Sequence, residues 1–243
     1  EVHSNESRRG VCWGLGQFVA TGGSSERRLW TSTDGQQWTE INQGGGWVAD
    51  CSYGNGMIVA AGGFHQLTST TDGLSWDSGG SYSGEHFRSV TFGNGVFVAV
   101  GGTDVGVSSN GNSWDIETIH GAPHVRLITY GNGIFVAVGN EGTVVTSQDS
   151  GQTWSVSTIG TSDWASVLYG NGYFYIGDGV SMYQSTDGIS WQLVNSTNGI
   201  VPRAIVGTTI FGTSSNAFHR SSDSGFSWEE LSPLSNGGNF SDS

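Results

Sequence analysis

Residues 88–119 read RSVTFGNGVFVAVGGTDVGVSSNGNSWDIETI, and this stretch decides the fold. Arg88 to Phe92 reads as a strand. Gly93-Asn94-Gly95 then turns the chain, because both central residues of an Asn-Gly hairpin take positive φ. Val96 to Val100 is a second strand, apolar on both faces, as in a sheet packed between two others. Gly101 to Asp104 is a loop, and Val105 to Ser108 a third strand. Asn110-Gly111 turns again, and Trp114 to Ile119 is a fourth strand. Nothing in the stretch has helical period.

The same unit recurs. The first turn reappears as Tyr53-Gly54-Asn55-Gly56, Tyr130-Gly131-Asn132-Gly133 and Tyr169-Gly170-Asn171-Gly172. Trp13-Gly14-Leu15-Gly16 is a degenerate first copy, and the sixth is worn down to Gly207-Thr208-Thr209. A second motif ends in Trp38, Trp76, Trp114, Trp154, Trp191 and Trp228, spaced 38, 38, 40, 37 and 37 residues apart. Six repeats, at about 9–41, 47–79, 86–119, 124–159, 163–194 and 201–231, therefore fill residues 1–243 as one domain. Four short strands cannot bury two apolar faces alone, so each repeat needs a neighbour on either side. The expected fold is all-β: a six-bladed β-propeller of four-stranded antiparallel blades.

Composition narrows the function. The 243 residues include no Lys; 8 Arg face 21 Asp and Glu, for a net charge of −13. Such a chain lacks the clustered cations that hold phosphate backbones, which excludes a nucleic-acid partner. No apolar run reaches the roughly 18 residues of a membrane span. Forty-one Gly without a Gly-X-Y period exclude collagen, and 10 Trp with 11 Phe argue against disorder. Low charge and a Gly/Ser/Thr/Asn-rich surface point to an extracellular protein, secreted or on a cell surface. The chain opens on Glu1, which reads as a removed leader or a domain taken from a larger surface protein. Sequons for glycosylation stand at Asn5, Asn195 and Asn239, a number that chance alone supplies in a chain this rich in Ser and Asn.

The second motif resembles the Asp box. Ser147-Gln148-Asp149-Ser150-Gly151-Gln152-Thr153-Trp154 and the stretch from Ser221 to Trp228 match S-x-D-x-G-x-[ST]-W. The other four are one residue shorter between Asp and Gly, as in Ser185-Thr186-Asp187-Gly188-Ile189-Ser190-Trp191, and Asn110 replaces Asp in the third. The chain thus resembles the Asp-box (BNR-type) repeat propellers over nearly its whole length. It is also similar to the YGNG…FVAVG…STDG…W repeats of bacterial surface and phage-associated proteins. Sialidases, lectins, lyases and assembly factors all carry these boxes, so the resemblance implies a fold rather than a chemistry. It also implies that Asp34, Asp72, Asn110, Asp149, Asp187 and Asp223 stabilise the turn between third and fourth strands, away from the ligand. Asp and Asn do this by accepting bonds from nearby backbone. The six Trp are expected to pack into seams between blades, mostly buried.

Cys12 and Cys51 lie on the first strands of repeats one and two, at −2 and −3 from their turn glycines. Opposite parity places them on opposite sheet faces, which meet between neighbouring blades. A disulfide between them is geometrically allowed and implies an oxidising compartment. The alternative is two buried thiols.

Ligands of propellers commonly sit where the first strands begin. Five residues before the turn Gly stand Arg9, Ala49, Arg88, Arg126 and Ala165, and Arg203 after a one-residue gap. Two residues earlier stand Ser7, Trp47, His86, His124 and Asp163, with Phe87 and Trp164 between the two positions. Arg9, Arg88, Arg126 and Arg203 are expected to approach one mouth of the central channel, helped by Trp47, His86, His124, Asp163 and Trp164. Arg forks carboxylate and sulfate bidentately, and aromatic faces stack on sugars. Asp163, Glu85 and Asp50 are the candidate internal counter-charges.

These residues point to a non-catalytic binding module, a lectin or adhesin domain recognising a polar or anionic glycan or polysaccharide. No cofactor, metal site or catalytic set is assigned. Resemblance to sialidases supplies an alternative, its Arg triad falling on Arg88, Arg126 and Arg9 or Arg203. Its catalytic candidates would be Asp163, Glu85 and Tyr82, and their spacing fits no sialidase motif. A polysaccharide lyase using His86 or His124, and a purely structural surface or virion-associated propeller, are further alternatives.

Overall fold

The computed structural model describes residues 8–23, 28–42, 46–63, 66–82, 86–215 and 217–233. Ser7, Glu85 and the sequons at Asn5 and Asn239 lie outside them. The chain is an all-β, six-bladed β-propeller, with no helix among the described residues. Each blade is one antiparallel sheet of four consecutive strands, and among the described residues no strand is exchanged between blades.

Blade one comprises β1 (Arg8–Gly14), β2 (Gln17–Gly22), β3 (Arg28–Ser32) and β4 (Thr39–Asn42). Blade two comprises β5 (Val48–Gly54), β6 (Met57–Gly62), β7 (Gln66–Thr70) and β8 (Asp77–Ser81). Blade three comprises β9 (Ser89–Gly93), β10 (Val96–Gly101), β11 (Asp104–Ser108) and β12 (Asp115–Thr118). Blade four comprises β13 (Val125–Gly131), β14 (Ile134–Gly139), β15 (Thr143–Ser147) and β16 (Ser155–Thr158). Blade five comprises β17 (Ser166–Gly170), β18 (Tyr173–Gly177), β19 (Ser181–Ser185) and β20 (Gln192–Ser196). Blade six comprises β21 (Val201–Val206), β22 (Thr209–Thr213), β23 (Ala217–Ser221) and β24 (Glu229–Pro233). The chain divides into two compact units, Glu1–Ile128 with Asp149–Thr153, and Thr129–Gln148 with Trp154–Ser243.

In the first unit the core lies in the seams between blades. Alternate residues of β6 face opposite seams. Ile58 and Ala60 join Val19, Leu29, Val48, Cys51 and Trp76 between blades one and two. Val59 and Ala61 join Leu67, Phe87, Val90, Phe97 and Trp114 between blades two and three. This two-sided burial is why the second strands read as unbroken apolar runs. In the second unit Tyr175, Met182 and Ile210 form the corresponding cluster between blades five and six.

The aromatic-Gly-Asn-Gly motif does two jobs. Its Asn-Gly pair turns the hairpin with positive φ at both positions, as at Asn94 (49°) and Gly95 (80°). Its first Gly is a seat for the next blade. A Cβ on Gly14 would fall 2.3 Å from the Tyr53 ring, and one on Gly54 would fall 2.1 Å from the Phe92 ring. In the second unit Tyr169 lies against Gly131 in the same way. No side chain larger than hydrogen fits under these rings.

The box turns are tied by their own side chains. The Asp187 Oδ1 accepts the Ile189 and Ser190 N–H groups at 2.9 and 2.7 Å. Ser185 Oγ donates to that oxygen at 2.9 Å and accepts the Gly188 N–H at 2.9 Å. Asp34, Asp72 and Asn110 repeat the pattern on Gln36/Gln37, Leu74/Ser75 and Asn112/Ser113. In the two longer boxes the extra residues, Ser150 and Ser224, take φ of 64° and 63°. Asp149 and Asp223 there bind the N–H and hydroxyl of Thr153 and Ser227.

The box Trp are less uniformly buried than expected. Trp76 and Trp114 are buried, while Trp38, Trp154, Trp191 and Trp228 are half-buried. The four half-buried Trp each precede an edge strand and leave part of the indole facing water. Trp38, Trp114 and Trp191 donate their indole N–H to the box Gly carbonyl, each at 3.1 Å.

Candidate binding site

The first unit brings four of the singled-out residues together. Trp47 leads into β5, and its carbonyl accepts the Gly63 N–H at 2.8 Å. Gly63 also gives room to the indole, since a Cβ there would fall 2.7 Å from Trp47 Nε1. Arg9 on β1 places its guanidinium carbon 5.2 Å from the centre of the Trp47 ring. Arg88, whose N–H is held by the Val100 carbonyl at 2.8 Å, places its own at 5.6 Å. Both distances are within cation–π range. His86 meets the same indole edge-on, with centroids 5.8 Å apart and planes at 82°. Arg88 is exposed, and Arg9, Trp47 and His86 are half-buried.

The strands beneath are fixed by a covalent bond and a hydrogen-bonded carboxyl. Cys12 and Cys51 form a disulfide linking β1 to β5, as parity allowed, with Cα atoms 5.7 Å apart. Next to it, Thr21 Oγ1 takes the Gly10 N–H at 3.0 Å and donates to the Ala49 carbonyl at 3.1 Å. Asp50 points the other way. Its Oδ1 accepts the Cys51 N–H at 2.8 Å, and its Oδ2 accepts the Ser89 hydroxyl at 2.7 Å and the Val90 N–H at 3.1 Å. Ser89 Oγ in turn accepts the Ile128 N–H at 3.3 Å. Burial pushes the Asp50 carboxyl above the ordinary carboxylate range, although its three hydrogen bonds pull it down. These contacts hold Ser89, the neighbour of Arg88, rather than neutralising a guanidinium.

Arg126 is half-buried on β13, and His124 is exposed just before that strand. In the second unit Arg203 spends its guanidinium locally, with Nε on Thr213 Oγ1 at 3.2 Å and Nη1 on the Ala165 carbonyl at 3.3 Å. Asp163 Oδ1 accepts the Glu141 N–H at 3.0 Å, shaping the loop before β15. Trp164 is 2 % exposed and meets Tyr183 edge-on, so it offers no face to a ligand. Its phase gives the reason. At six residues before the turn Gly stand Val48, Phe87, Val125 and Trp164, all buried, whereas Trp47 and His86 stand at seven. Successive strand residues face opposite ways, so parity separates the two Trp. Among the described residues no group of three His, Cys, Asp or Glu is placed to hold a metal.

Fold and site together define a propeller that carries an aromatic–cation cluster at the first-strand ends of blades one to three. Residues 118–236 match the family described as the DUF6242 beta propeller domain. The solved structure of YCF48 from Cyanidioschyzon merolae is similar, with 14 % identity and a TM-score of 0.72 over 95 % of this chain and 86 % of that one. YCF48 bound to D1 peptide gives 15 % and 0.72, over 93 % and 82 %. The WD40 beta propeller domain of Doa1 gives 13 % and 0.71, over 96 % and 84 %. At these identities the likeness is one of fold. No curated protein matches the sequence.

Proposed function

We propose that this propeller is an extracellular, non-catalytic binding module that recognises an acidic glycan at the Trp47 cluster. The observation that carries the reading is the meeting of Arg9 and Arg88 on one indole. In a chain with 8 cations against 21 acidic groups, two of those cations converge on one ring. Screening limits the repulsion of the remaining charge to about 8–10 Å in physiological salt. Contact with Trp47 restricts both long side chains, which lowers the entropy lost when a ligand binds. The disulfide supports placement in an oxidising compartment.

A glycan array probed with the purified propeller tests the reading. Acidic saccharides should be retained, and Trp47→Ala should lose them with little change in melting temperature. Retention of neutral sugars only, or of none, would refute it. A second reading has one support: YCF48, of similar fold, has been solved bound to a peptide. An acidic peptide would use the same guanidinium pair, and peptides spotted beside the glycans separate the two readings.

A further inference from the structure

We propose that Asn132 and Asn171 are sites of spontaneous modification, where the side-chain amide is lost through a succinimide and replaced by aspartate or isoaspartate. The proposal stands apart from the binding reading above.

The chemistry needs Asn followed by Gly, whose missing side chain lets its backbone nitrogen reach the Asn side-chain carbonyl. Seven such pairs occur, at Asn55, Asn94, Asn110, Asn132, Asn171, Asn198 and Asn236, the last outside the described residues. The Gly nitrogen gives up its proton and bonds to Asn Cγ, the Cγ–Nδ2 bond breaks, and ammonia leaves. Water then opens the ring at either carbonyl, giving Asp or its isomer with a longer backbone. A protein slows the step by holding the amide away from the Gly nitrogen, or by holding the Gly N–H itself.

The fold holds four of the six described pairs. Asn55 Nδ2 donates to the Gly95 and Ser109 carbonyls at 3.2 and 3.3 Å, and Asn94 Nδ2 donates to the Ser150 hydroxyl. The Gly111 N–H is taken by Ser108 Oγ at 2.8 Å, and the Gly199 N–H by the Gly179 carbonyl at 2.6 Å. Among the described residues no hydrogen bond holds the Asn132 or Asn171 side chain, or the Gly133 or Gly172 N–H. Both Asn are exposed, and a Cβ on either following Gly would meet nothing within 4 Å, so the ring has room to form. The turns at Asn55 and Asn94 are equally open at Gly56 and Gly95 and differ in the bonded amide. The modification also matters structurally. A two-residue turn sets hairpin register, so a longer backbone at Asn171 misaligns β17 with β18 beside Gly170, the seat of Ile205.

Peptide mapping by mass spectrometry, on the intact protein aged in mildly alkaline buffer, follows the mass gain at each pair. Asn132 and Asn171 should react at least about fivefold faster than Asn55, Asn94, Asn110 and Asn198, the factor that one net hydrogen bond supplies. In denaturant all six should react at similar rates, because the fold alone separates them. Ser150→Gly keeps the positive φ of 64° at that position and removes the hydroxyl, so Asn94 should speed up by the same factor while Asn55 and the melting temperature stay unchanged. Labelling by an isoaspartate-specific methyltransferase should accompany the mass gain and fall in the Asn132→Gln, Asn171→Gln double variant. Equal native rates across the six pairs, or faster reaction at Asn55 and Asn94, would overturn the proposal. So would an unmodified Asn132 and Asn171 in native protein under conditions where the denatured chain reacts.

Discussion

Removing the Cys12–Cys51 bond tests how much of the first unit depends on a covalent staple. The two residues are 39 apart in sequence. In the chain-entropy account, opening a loop of that length restores freedom to the unfolded chain worth about 4 kcal/mol at 25 °C. For a chain of 243 residues, each kcal/mol shifts the melting temperature by about 2 °C. The Cys12→Ala, Cys51→Ala double variant should therefore melt about 8 °C lower. Cys51 is buried against Ile58 and Ala60, and Cys12 packs on the same cluster, so the lost sulfurs add a small packing cost. Unfolding in urea, followed by tryptophan fluorescence, provides the second readout. The denaturant slope should rise in the variant, because an uncrosslinked chain exposes more surface. Reductant should lower the wild-type melting temperature towards that of the variant and leave the variant unchanged. A shift below about 2 °C, or a reductant effect on the double variant, would refute the reasoning.

The other expectations concern packing, turns and pH. Gly54→Ala, which drives a Cβ into the Phe92 ring, should cost about 1–3 kcal/mol in urea unfolding. Trp164→Ala should cost roughly 3–5 kcal/mol as a buried aromatic truncation, while half-buried Trp47→Ala costs less but abolishes ligand retention. Asp187→Ala should lower stability by about 1 kcal/mol through lost turn hydrogen bonds without altering ligand retention. Asp187 and Asp223 are held at about 2 by hydrogen bonds from their own turns. Their contribution is thus present above the ordinary carboxylate range and lost as pH falls towards 2. Asp50 acts with the opposite sign, because its carboxyl is raised by burial. The native state holds that proton more tightly than the unfolded chain, so its contribution favours the fold in acid and declines as pH rises through the native value. Melting curves of Asp50→Asn across the acid range should lack this decline; an unchanged profile would assign it to another group.

Repetition made the fold legible. Six copies of a turn and a Trp, at nearly constant spacing, specify blades because a four-stranded unit with two apolar faces cannot stand alone. The Asn-Gly turns and the apolar second strands are local signals, set by backbone sterics and by alternation. Parity in the first strands put Cys12 opposite Cys51, and the same parity separates half-buried Trp47 from buried Trp164. What the sequence could not contain is which long side chains meet. Arg9, Arg88 and Arg203 share a repeat phase, yet two lie within cation–π range of one indole while the third bonds a carbonyl and a hydroxyl. A guanidinium on a flexible stem has many rotamers, and its partner is chosen by whatever the neighbouring blade presents. Blade two presents a Trp where blades three, four and five have His or Asp, so only the tertiary structure turned a row of Arg into a pair on one ring.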